Sequence, residues 1–162
     1  KVYYMNITDQ DIYQGILMVN ILRDLDELGF KKSVRFQTGT SKNSILVKNS
    51  EDEFLGIYIK YTKKNRSPWN FNFVKDHQEE IEILNELCKD CFVAFVCGTD
   101  GIALLSYNEL KQLLDDNFED SERIGINRKP RGNYWLKGRD GKLEKSVSNA
   151  ELGHKLLAGL ES

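Results

Sequence analysis

Histidine is nearly missing from this chain: His77 and His154 are the only two in 162 residues. That scarcity speaks against a zinc site, since structural zinc takes four closely spaced Cys or His ligands. Cys88-x-x-Cys91 with Cys97 does not make up the number. Cys97 lies in the apolar run CFVAFVC, and the three thiols read as core residues. Three is also an odd count, which argues against a secreted disulfide framework and for a reducing compartment, with the cytoplasm as the expected location. No apolar run approaches the roughly 20 residues that span a bilayer, so no membrane partner is expected. The opening KVYYMNITDQD lacks the basic, apolar and small-residue order of a signal peptide. No GxxxxGK[ST] phosphate loop occurs, and no serine or cysteine has an evident His–acid partner set, which weighs against P-loop NTPases and triad hydrolases. There is no internal repeat, low-complexity segment or dividing linker.

What is present is an ordinary globular composition, 40% hydrophobic and 30% charged, at a length suited to one domain. The formal net charge of −2 conceals blocks. Asp76–Glu122 holds 13 acids against Lys89 and Lys111, whereas Lys60–Lys75 holds five bases and no acid. Arg123–Lys145 holds eight bases against Asp140 and Glu144. Two basic blocks flanking an acidic one steer a polyanion if they converge on one face, and are plain solvated surface if they do not.

Thr8 or Asp9 is placed to cap a helix whose apolar residues, from Ile12 to Leu28, recur near a helical period and end at Gly29. Ser33–Thr38, Ser44–Lys48 and Phe54–Tyr61 read as three strands of a meander. Phe71–Val74 is a further short strand, followed by a helix over Asp76–Leu87. Cys91–Cys97 is uniformly apolar, as a strand buried on both faces is. GTDG turns the chain into a return strand, Ile102–Ser106, then a short helix over Asn108–Leu114. Arg123–Asn127 and Tyr134–Lys137 read as strands around the turn RKPRG. The expected class is therefore α/β: a single domain, 1–162, with a mixed β-sheet flanked by helices. Within it, 9–110 forms the core, 122–145 a basic hairpin extension and 150–160 a terminal helix.

The stretch GIYIKYTKKNRSPWNFNF, residues 56–73, joins a strand ending in Ile59-Lys60 to a basic loop and a small aromatic strand. A helix bearing Gln78 and a buried apolar strand follow. This order resembles the core of the PD-(D/E)XK nuclease superfamily, in particular the archaeal Holliday-junction resolvases, over roughly residues 9–110. The resemblance implies a restriction-endonuclease-like fold and a Mg²⁺ site made by an aspartate at the start of the second strand and an acid two positions before the lysine. Lys60 matches the lysine. The other positions carry Tyr58 and, in TSKNSIL, Asn43 and Ser44, so the resemblance is to a member with a degenerate catalytic motif. Asp9 or Asp11 stands for an acid from the first helix, and Glu51, Asp52 and Glu53 for a relocated one. Each also reads as a charged turn or cap. Lys60 itself reads equally as a strand-end lysine reaching water, and Gln78 as part of a solvated helix face.

Two segments carry bases among aromatics: KYTKKNRSPW, with Lys63, Lys64, Arg66 and Trp69, and RKPRGNYWLKGRDGK, with Arg128, Lys129, Arg131 and Lys137 beside Tyr134 and Trp135. Such groups pair with phosphates and stack on bases. An inward-packed hairpin is the alternative, and Pro68 stiffens the loop on either reading. The expectation is a nucleic-acid-binding or accessory subunit, DNA first, of a DNA-processing or defence assembly, with no cofactor and no metal. The acidic middle, including Glu79, Glu80, Glu82 and Glu86, then faces solvent or a basic partner. An active but divergent Mg²⁺-dependent nuclease using Lys60, Glu53 and Asp11 is one alternative. A protein-interaction subunit is another, and a homodimer stays open.

Overall fold

A computed structural model describes residues 6–49 and 53–161. Helix α1 spans Asp9–Glu27. Thr8 caps it reciprocally: the Asp11 amide donates to Thr8 Oγ1, and the Thr8 amide donates to Asp11 Oδ2. Leu17, Ile21 and Leu25, one turn apart, are its buried stripe. Gly29, at φ +82°, ends the helix in the left-handed conformation that costs glycine little, and the Phe30 amide donates to Leu25 O.

Strands β1 (Arg35–Thr38), β2 (Ser44–Lys48) and β3 (Leu55–Thr62) form the expected antiparallel meander. Next come β4 (Trp69–Val74), α2 (Lys75–Leu87), β5 (Asp90–Cys97), β6 (Gly101–Ser106) and α3 (Tyr107–Leu113). The chain finishes with β7 (Ser121–Asn127), β8 (Trp135–Lys137) and α4 (Glu151–Glu161). The main sheet has the order β1-β2-β3-β5-β6, with β3 and β5 parallel. A parallel pair needs a crossover connection, and α2 provides it.

Its strands β3, β5 and β6 are buried on both faces, and strict alternation sorts their side chains, while β1 is a largely exposed edge. Leu55, Ile57 and Ile59 of β3, with Phe92, Ala94 and Val96 of β5, join the layer made with α1 and α4. Tyr58, Cys91, Val93, Phe95 and Cys97 point the other way, toward α2, α3 and the second sheet. Gly56 lets α2 approach, for a Cβ there would stand 2.7 Å from Leu84 Cγ. The three cysteines are free thiols, and burial pushes Cys91 up to about 12. No helix among the described residues is long and apolar enough to cross a membrane.

The second sheet is what the sequence reading did not anticipate. Strand β4 starts at Trp69, two residues earlier than expected, and pairs antiparallel with β7: Trp69 with Ile126, Phe71 with Ile124, Phe73 with Glu122. With β8 they give the order β4-β7-β8. The basic hairpin is thus laced to a strand that lies between β3 and α2. Its inward residues, Trp69, Phe71, Phe73, Ile124, Ile126 and Leu136, complete the core under α2.

Candidate nucleic-acid interface

Lys60 lies near the end of β3 on the same face as Tyr58, and β4 and α2 close over it. Its ammonium donates to Asn72 O at 2.6 Å, sits 3.2 Å from His77 Nδ1 and lies 4.7 Å from the centre of the Phe73 ring. Burial lowers its pKa to about 8, against an opposing pull from the Glu80 carboxylate. His77 Nδ1 also accepts the Val74 amide, 3.3 Å away, so the ring is neutral with its proton on Nε2. Burial and the Lys60 charge both hold its pKa down.

Tyr58, fully buried, donates its hydroxyl to Glu80 Oε2 at 2.9 Å. Asn43, just before β2, reaches the same pair: its side-chain amide is 3.3 Å from the Tyr58 hydroxyl and 3.5 Å from Glu80 Oε2. Its backbone carbonyl accepts the Ile59 amide at 2.7 Å. On α1, Gln14 and Gln10 donate to Lys42 O at 2.7 and 3.3 Å. The residues expected at the metal positions, Asn43 and Tyr58, therefore do come together beside Lys60, and they surround one carboxylate. Glu80 had been assigned to the solvated helix face. It lies on α2, one turn after His77, and looks inward to Tyr58. An amide, a phenol and a single carboxylate are a poor donor set for Mg²⁺, which favours several anionic oxygens, so the residues do not fit that ion.

The acids proposed for an active site lie elsewhere. Asp11 is spent on the Thr8 cap and exposed. Asp9 pairs with Lys63 at 2.7 Å. Glu53 precedes β3 and stands at its opposite end, roughly 20 Å from Lys60 for an extended chain. Glu51 and Asp52 lie outside the described residues. Gln78 is not on a solvated face: it is 3% exposed and donates to Glu122 Oε2 at 2.5 Å.

The basic segments do meet. The Arg128 amide donates to Ser67 Oγ at 2.9 Å, which ties the turn after β7 to the loop after β3. The Thr99 amide donates to Asn65 Oδ1 at 2.9 Å. Gly98 at the tip of the β5–β6 turn makes room, since a Cβ there would meet Lys64 O at 2.3 Å. Lys63, Lys64, Arg66, Lys129, Arg131 and Lys137 are all exposed. Lys64 is tethered by its ammonium to Pro68 O at 2.7 Å.

Two expected contacts are corrected. Trp69 is 1% exposed, with its indole N–H donating to Lys64 O at 2.8 Å, so it has no face for a base. The aromatic that does is Trp135, 54% exposed on β8. Arg128 is an internal clamp: it donates to Asp100 Oδ2 at 2.6 Å and Gly132 O at 2.7 Å, and lies 4.9 Å from the Tyr134 ring centre. Alternation along β4, β7 and β8 turns Asn70, Asn72, Arg123, Asn127, Trp135 and Lys137 outward. A groove of about 470 Å³ runs along this face, with Arg139 at one end. Asn72 belongs to it through its side chain and holds Lys60 through its carbonyl.

No family model matches the chain, and no curated protein matches it in sequence. Among solved structures it is similar to Hjc of Archaeoglobus fulgidus, a Holliday junction resolvase from an archaeal hyperthermophile, with a TM-score of 0.50 at 13% identity. The likeness covers 77% of this chain and 90% of that one. It establishes the α/β, restriction-endonuclease-like fold.

Proposed function

We propose that this domain binds nucleic acid, DNA first, on its basic edge and without cutting it. The observation that carries this reading is the tie between Ser67 and Arg128. It joins the β3–β4 loop to the β7–β8 turn, and the exposed bases of both segments would then present to one phosphate backbone. Phosphates would meet Lys63, Lys64, Arg66, Lys129 and Arg131, and Lys137 would extend the strip along β8. The same edge neighbours Lys60, where a nuclease of this fold keeps its lysine, while the lone carboxylate of Glu80 is consumed by Tyr58 and Asn43. The reading makes the chain a degenerate, accessory member of its fold class, serving a DNA-processing or defence assembly.

The test is fluorescence anisotropy of labelled duplex, single-stranded and four-way-junction DNA at two salt concentrations, with and without Mn²⁺, and with products resolved on a gel. Binding without cleavage is expected. If four or five of these bases meet phosphates, log affinity falls against log salt with a slope of about −4. Arg66→Ala and Arg131→Ala each shallow that slope by about one. Mn²⁺-dependent cleavage abolished by Lys60→Ala or Glu80→Gln would return the protein to the active nucleases. Absence of binding to any DNA would turn the basic edge toward RNA or an acidic protein surface.

A further inference from the structure

Glu122 is an anomaly in β7. It points inward with Ile124 and Ile126 and is 2% exposed, yet none of the ion pairs among the described residues reaches it. Gln78 holds Oε2, while Oε1 is buried with no hydrogen-bond partner. A buried carboxylate oxygen left without a donor is costly, and one beside further carboxylates is more so.

Two more carboxylates stand there. Asp115 follows α3 and Asp140 lies in the turn after β8. One oxygen from each of Asp115, Glu122 and Asp140 lies within 4.8 Å of the others. Backbone amides also hold the two loop acids: the Asn117 amide donates to Asp115 Oδ1 at 2.9 Å, and the Asp115 amide to Asp140 Oδ2 at 2.8 Å. The two loops are locked together, for the Asp140 amide donates to Leu113 O at 2.9 Å and a Cβ on Gly138 would stand 2.3 Å from that oxygen. The neighbouring cations are engaged outside the cluster, Arg139 on Glu119 and Lys111 on Glu82 and Asp116. Three acids are thus preset around a point that no side-chain cation fills.

We propose that Asp115, Glu122 and Asp140 form a divalent-cation site of calcium type. All three donors are hard oxygens. Three oxygens within 4.8 Å of one another can share an ion that binds oxygen at 2.3–2.6 Å in a flexible shell, whereas Mg²⁺ demands a near-ideal octahedron at about 2.1 Å. Water or backbone carbonyls complete the shell. The ion satisfies Glu122 Oε1 and staples the end of α3, strand β7 and the turn after β8. The three acids are not among the residues that hold Lys60, and the proposal stands independently of the nucleic-acid reading.

The test is isothermal titration of the chelator-treated full chain with Ca²⁺ and with Mg²⁺, paired with thermal unfolding. Saturable binding of one Ca²⁺, tighter than Mg²⁺, with a melting temperature that climbs with Ca²⁺ concentration is expected. Asp115→Asn and Asp140→Asn sit on the surface and keep the fold, and each weakens Ca²⁺ binding at least tenfold. Glu122→Gln abolishes it. Absence of saturable heat overturns the proposal, as does unchanged affinity in both surface variants. So does a melting temperature that rises on mild acidification and ignores Ca²⁺, because a shared proton then fills the gap.

Discussion

Lys60 illustrates how a single side chain changes meaning with its surroundings. On an open strand end it would reach water; here Asn72, His77 and Phe73 enclose it. Its pKa of about 8 lies below the ordinary 10.5 because burial penalises the ammonium. Between those two values the unfolded chain binds more protons at this residue than the folded one, so the folded state gains stability as pH rises through that window. Urea unfolding of wild type and Lys60→Met from pH 7 to 10.5 should show wild type gaining on the variant above pH 8, by on the order of 1–3 kcal/mol in total. A difference that stays flat with pH would mean a solvated ammonium. Lys60, Tyr58 and Asn43 were legible in the sequence because the strand order places them. Glu80 was not, because a glutamate on a charged helix carries no local mark of the tyrosine and asparagine that receive it from two strands.

At the level of elements, β4 decides what the aromatics do. Its alternation Trp69, Phe71, Phe73 inward and Asn70, Asn72 outward follows from period-2 geometry. The sequence showed the aromatic cluster, but a strand read as starting at Phe71 left Trp69 to the basic loop, whereas β4 begins at Trp69 and takes it into the core. The two tryptophans should therefore separate cleanly. Trp69→Ala empties a core site against Tyr134 and should cost about 3–5 kcal/mol in chemical unfolding. Trp135→Ala should leave stability within about 0.5 kcal/mol while weakening single-stranded DNA by about 1–3 kcal/mol, read by anisotropy. A reversal of these two effects would refute the assignment of faces. Why β4 escaped the main sheet is likewise non-local: an alternating pattern states which face is buried, and says nothing about the partner strand, which arrives only with β7.

On the scale of the whole molecule, two apolar layers share one sheet, and the chain's last helix closes one of them. Leu152, Leu156 and Leu160 of α4 lie in the layer with α1 and β3. Gly153 lets the helix sit against α1, where a Cβ would be 2.8 Å from Asp24 Cβ, and Gly159 does the same against Leu55. Ending the chain at residue 150 should uncover that layer. Each buried leucine is worth about 2–5 kcal/mol, against a total stability of about 5–15 kcal/mol for a domain. Loss of a cooperative urea transition, together with loss of near-ultraviolet circular dichroism, is the expected outcome; an unchanged midpoint would show α4 to be dispensable. The α/β class, the meander and the doubly buried β5 were legible because periodicity and apolar runs report burial directly. The convergence of the basic blocks was not, since charge counts along a chain carry no distances.

The pairing of β4 with β7 also sets a timetable. Trp69, Phe71 and Phe73 leave the ribosome long before Ile126, Ile124 and Glu122, the residues they align with. Until those arrive, β4 is a strand with both edges open and three large aromatics uncovered, a template for the wrong neighbour. The nascent chain is stickiest in that interval, and its aromatic strand becomes safe from aggregation only when the late-made hairpin reaches back to claim it.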